Sequence, residues 1–104
     1  MDDVLTLIAP GTNRDALGVP TGAAQERDVF CQVNDVTRAE FYQAGRSGLN
    51  PELQFTVFAG DYAGETVCRF HGQQYGIYRT YHVPGTDYME LYAERKGGTN
   101  GSRQ

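Results

Sequence analysis

Side chains alternate in type through Glu65–His71, Tyr75–Tyr81 and Tyr88–Tyr92, and the interruptions are Gly72-Gln73 and Pro84-Gly85. Period-two stretches separated by turn residues specify antiparallel strands joined by hairpins. The last third of the chain is therefore a three-stranded unit, and the rest must pack around it.

The turns set an expected register. With Pro84 and Gly85 at the two central turn positions, Tyr81 faces Tyr88, Arg79 faces Glu90 and Ile77 faces Tyr92. Arg79 and Glu90 are then a cross-strand ion pair that fixes the register. A Gly72-Gln73 turn pairs Phe70 with Tyr75 and Cys68 with Ile77. One face of the sheet carries Cys68, Phe70, Tyr75, Ile77, Tyr81, Tyr88 and Tyr92, and the other carries Val67, Tyr78, Met89 and Leu91. Two apolar faces need two covers: a core on one side, a helix or another chain on the other. Tyrosine offers large area with a polar tip, so Phe70, Tyr75, Tyr81, Tyr88 and Tyr92 are the expected subunit interface.

Upstream, Val4–Ile8 reads as a short strand, and residues 9–27 as a long loop with no helix or strand period. Asp28–Val36 alternates as a strand. Thr37 and Glu40 have capping-box spacing for a helix over about 37–46, with Phe41 and Ala44 toward the core and Gly45 or Gly48 as its stop. Asn50-Pro51 breaks the chain before a strand over Glu52–Ala59, with Leu53, Phe55 and Val57 on one face. The expectation is a mainly β, antiparallel domain over 1–96 with one short helix, followed by a polar tail over 97–104.

The 104 residues carry a net charge of −4, which argues against a module that grips exposed nucleic acid. It is compatible with a wall past which DNA slides. Asp2 and Asp3 stand where a signal peptide would be basic, and no apolar run reaches membrane-spanning length. Cys31 and Cys68 read as reduced, packed thiols, and His71 and His82 lack ligand spacing, so neither metal nor cofactor is expected. No nucleophile–base set or phosphate-binding glycine loop is present. Tyr75, Tyr78 and Tyr81 suggest a second reading as base-stacking residues of a small nucleic-acid-binding barrel, although few basic residues accompany them.

Across roughly residues 27–98 the letters resemble one family. Glu40-Phe41-x-x-Ala44, Asn50-Pro51, Phe55, Tyr62, Gly64-Glu65, Val67, Gly72-x-x-Tyr75-x-Ile77-x-Arg79, Glu90-Leu91-Tyr92 and Lys96-x-Gly98 look like the head closure (head–tail joining, or stopper) proteins of tailed bacteriophages. The resemblance implies a small antiparallel β-barrel without enzymatic activity, made in the host cytoplasm and placed at the virion neck. It implies a ring of about a dozen copies under the portal or adaptor ring, retaining packaged double-stranded DNA and offering a docking surface to tail proteins. Adaptor and tail-completion roles are the neighbouring alternatives. It also implies that the long loop faces the channel, which maps to Arg14, Asp15, Leu17, Val19, Glu26 and Arg27. The chain departs from the family in its short first strand and in Phe30, where a Trp is expected.

Overall fold

Each of six strands gives two residues, two positions apart, to one closed interior. The structure, a computed structural model, describes residues 2–9 and 25–96. Its strands are β1 (Asp3–Ala9), β2 (Gln25–Asp35), β3 (Pro51–Phe58), β4 (Val67–Phe70), β5 (Gln73–His82) and β6 (Tyr88–Arg95). Helix α1 (Arg38–Gly45) follows β2, and a 3-10 turn, Ala59–Asp61, follows β3. The strands close into an antiparallel barrel in the order β1-β2-β3-β6-β5-β4. Closure leaves no sheet edge open to a stray strand.

The interior holds Leu5 and Leu7, Val29 and Cys31, Phe55 and Val57, Cys68 and Phe70, Tyr75 and Ile77, and Leu91 and Ala93. Phe55 is the central wedge, edge-on to Phe70 at 5.3 Å and to Tyr75 at 5.8 Å between ring centroids. Truncating such a side chain typically costs about 3–5 kcal/mol.

Both hairpin registers differ from expectation by two residues. His71 (φ 50°) and Gly72 (φ 79°) form the two-residue β4–β5 turn, a type I′ geometry instead of a turn centred on Gly72-Gln73. Cys68 therefore faces Tyr75 and Phe70 faces Gln73. At the β5–β6 corner the Pro84-Gly85 turn forms, and the Thr86 amide donates to the Val83 carbonyl at 3.2 Å. Pairing resumes only at Val83 and Tyr88, because Thr86 and Asp87 extend the loop. Arg79 then faces Tyr92, and Tyr81 faces Glu90.

A two-residue slip keeps every side chain on its face, but a second irregularity does not. The β5–β6 register shifts between Ile77 and Arg79, leaving Tyr78 as an extra residue. Ile77 stays inside, while Tyr78 and Arg79 both reach outward to α1. Leu91, expected on the face opposite Tyr75, is consequently in the core with it.

Thr37 caps α1: its hydroxyl accepts the Glu40 amide at 3.1 Å. At the other end Gly48 (φ 81°) lets the Leu49 amide reach back to the Ala44 carbonyl at 3.1 Å. Ala44 is buried as expected, whereas Phe41 and Tyr42 face outward, 48% and 63% exposed. No helix among the described residues is long and apolar enough to cross a membrane.

Candidate functional site

The outer wall of the barrel divides into a polar network at the helix end and an apolar row at the other. Glu40 is the centre of the network. Instead of returning to the Thr37 amide to complete the capping box, its carboxylate accepts the Tyr78 hydroxyl at 2.7 Å and the Arg79 guanidinium at 2.5 Å. The Arg79 guanidinium also lies 4.0 Å over the ring centroid of Tyr92, whose hydroxyl donates to Glu90 at 2.5 Å. Burial pushes the Glu40 carboxyl up, but the Arg79 and Tyr78 donors outweigh it and hold the group below the ordinary range. Burial and the Glu90 bond push Tyr92 up to about 12. A shallow cleft of about 440 Å³ lies beside these groups, lined by Thr37, Ala39, Glu40, Gln43, Arg79 and Tyr92. Arg79 and Glu90, expected as direct partners, are thus linked only through Tyr92, and Glu40 takes the ion pair. The two-residue slip of the β5–β6 hairpin is the cause.

A second carboxylate is buried near the start of β2. Glu65 is 8% exposed and accepts the Arg27 guanidinium at 2.6 Å and the Ala63 amide at 2.9 Å. The Tyr62 hydroxyl donates to the Glu65 carbonyl at 2.6 Å. Desolvation raises the Glu65 pKa, and Arg27 with the backbone donors lowers it further than that, for a net downward shift. Glu26 pairs with Arg69 at 2.6 Å. Glu26 and Arg27, expected in the channel loop, are β2 residues facing Ile8 and Leu7 of β1 and are engaged in these ion pairs. Arg14, Asp15, Leu17 and Val19 lie outside the described residues, as do 97–104.

The apolar row is read from register. Val4 on β1 pairs with Phe30 on β2, and Phe58 on β3 pairs with Tyr88 on β6. Phe30 and Phe58 are each one step beyond the Cys31–Val57 pair of β2 and β3. The four side chains therefore form an outward row across four consecutive strands, and all are 43–66% exposed. Tyr81, 45% exposed, lies next to it on β5. The adjoining outward rows are polar: Gln32, Thr56 and Glu90, then Asn34, Gln54 and Tyr92. Beside Val4 and Phe30 is a hollow of about 200 Å³, lined also by Asp28 and Val29.

The tyrosine face expected from the sequence is split by this arrangement. Phe70 and Tyr75 are core residues, 8% and 4% exposed, and form no subunit interface. Tyr81 and Tyr88 are exposed, and Tyr92 is half-buried under Arg79. The tyrosines considered as a base-stacking platform part in the same way: Tyr75 is inside, Tyr78 is tied to Glu40 and Tyr81 is exposed. Among the described residues no three His, Cys, Asp or Glu side chains converge on a metal site. Val4 and Phe58 were not singled out in the sequence, and Phe30 only as a departure from the family pattern, yet each carries a signal. Each is apolar but out of phase with the inward series of its own strand.

The chain matches no protein-family model and no curated protein.

Proposed function

We propose that this chain is a structural neck protein of a tailed bacteriophage or prophage. Copies associate side by side as a ring under the portal or adaptor, retain packaged DNA sterically and present a docking surface to the tail. The observation that carries the subunit role is the exposed row Val4–Phe30–Phe58–Tyr88, which crosses four strands where an isolated barrel gains nothing from apolar residues. The class of assembly rests on the residues that resemble head closure proteins, of which Phe55, Tyr75, Ile77 and Leu91 build the core and Glu40, Arg79, Glu90 and Tyr92 build the outer network. One face of so small a domain offers limited area, so the free chain self-associates weakly and assembles fully on a ring template. Arg14, Asp15, Leu17 and Val19 remain the proposed channel residues.

Imaging particles made without the gene tests this. Full heads that lose DNA and fail to join tails are expected. Heads that retain DNA and carry tails normally overturn the reading.

A further inference from the structure

The apolar row and the outer face of α1 are complementary surfaces. On α1, Phe41 and Tyr42 pack edge-on at 5.9 Å and stand out from the barrel, with Arg38 and Arg46 exposed beside them. Neither arginine is in an ion pair among the described residues. The row is flanked by the exposed acids Asp2, Asp28 and Asp87, and the hollow beside Val4 and Phe30 has Asp28 at its lip and Val29 in its lining. One surface is an aromatic projection with cations, the other an apolar recess with anions.

We infer that, in the ring proposed above, the Phe41–Tyr42 projection of one copy seats in the Val4–Phe30 hollow of the next. Charge selects this pairing over the symmetric ones. Row against row would oppose Asp2, Asp28 and Asp87 with themselves, and helix against helix would oppose Arg38 and Arg46 with themselves. Row against helix brings carboxylates to guanidinium groups and aromatic rings to an apolar recess. Because the two surfaces are different parts of the molecule, each copy has one of each to offer. The contact is head-to-tail, the type that closes into a ring when the rotation from copy to copy closes, as a ring template would impose.

Cysteine cross-linking of the full chain tests the pairing directly, since Cys31 and Cys68 are fully buried and leave the background clean. Phe30 and Tyr42 are exposed, so substitutions there leave the core intact. At high protein concentration under mild oxidation, the double variant Phe30→Cys/Tyr42→Cys is expected to give a ladder of dimers and larger multimers. Phe30→Cys alone and Tyr42→Cys alone are expected to stay monomeric. Adding Arg38→Glu and Arg46→Glu is expected to slow ladder formation several-fold. Dimers from either single variant, or a double variant without a ladder, overturn the pairing. The two readings fail separately. Particles that need the gene while the double variant gives no ladder overturn the pairing alone. A ladder with particles indifferent to the gene overturns the neck assignment alone.

Discussion

Glu40 and Arg79 are 39 positions apart in sequence and 2.5 Å apart in the fold. Their ion pair joins the first turn of α1 to the bulge of β5, and it holds a helix that has little else to hold it, since Ala44 is its one buried residue. The Glu40 side chain is 10% exposed and that of Arg79 44%, so solvent screens the arginine end. Glu40→Ala is expected to lower unfolding stability by about 1–2 kcal/mol, because Tyr78 and Arg79 both lose their acceptor. Arg79→Ala should cost about 1 kcal/mol or less, because Tyr78 still donates to Glu40. Urea denaturation of both single variants and the double variant gives the coupling directly. A coupling indistinguishable from zero would show that the contact does not fasten the helix.

Stability should depend on acid in a definite direction. Glu40, Glu52 and Glu65 all have folded pKa values below the ordinary carboxylate range. Desolvation opposes the shift in each, and Arg79, Arg95 and Arg27 respectively supply the main opposing donors. A carboxyl with a depressed folded pKa contributes stability that is present above its unfolded pKa of about 4.3 and is lost as pH falls through the folded value. The unfolding midpoint is therefore expected to hold down to about pH 5 and to drop below about pH 4. Glu65→Gln should reduce that slope, and an unchanged slope would exclude Glu65 as a contributor. On the alkaline side, Tyr78 and Tyr92 are raised, Tyr92 to about 12. Their contribution is complete below the unfolded value of about 10 and is lost as pH rises through the folded one. Phenolate absorbance should show a late-ionising component that shrinks in Tyr92→Phe.

Two glycines make a matched pair of backbone tests. Gly48 (φ 81°) ends α1, and Gly72 (φ 79°) completes the β4–β5 turn. A methyl group at either would meet no atom within 4 Å. Alanine at each position should therefore cost about 1 kcal/mol through the left-handed backbone alone. Chemical denaturation measures both, and a cost near zero at either position would mean that the turn relaxes to another geometry.

Which residues share a face was legible on β2, β3 and the β4–β5 hairpin, because it survives small register errors. Which face turns inward was not, since Phe70 and Tyr75 were expected at a subunit interface and are core residues. Cys68, Phe70, Tyr75 and Ile77 share a face in either register of the β4–β5 hairpin, since a slip of two residues preserves parity. The type I′ turn was missed because histidine with positive φ is uncommon, and Gly72 alone suits several turns. The separation of Tyr81 and Tyr92 from the face that holds Tyr75 and Ile77 was not legible. Tyr78 and Arg79 give no sign that one of them is an extra residue, because tyrosine suits either face of a strand. Glu40 was read as a local capping residue because spacing alone defines that motif. Its diversion to Arg79 depends on where α1 docks, a tertiary fact. The apolar row needed the order of strands around the barrel, which places Val4, Phe30, Phe58 and Tyr88 side by side despite their separation in sequence.

The two buried thiols should report how the barrel opens. Cys31 and Cys68 are both fully buried, and desolvation pushes their pKa values up to about 11 and about 12. The thiolate is the reactive form, so near neutral pH both should react far more slowly than a free thiol and only through opening of the fold. Their strands differ in how firmly they are held. Cys68 is on β4, a four-residue strand with three paired positions to β1 and four to β5. Cys31 is on β2, eleven residues long, with seven paired positions to β1 and five to β3. Release of β4 needs fewer backbone bonds broken than release of β2. Alkylation under native conditions, followed by mass mapping of the peptides, is expected to modify Cys68 first. The excess of Cys68 over Cys31 labelling should vanish as denaturant brings global unfolding into reach. Cys31 reacting first would place the weak seam at β1–β2, and equal rates without denaturant would mean that the barrel opens only as a whole.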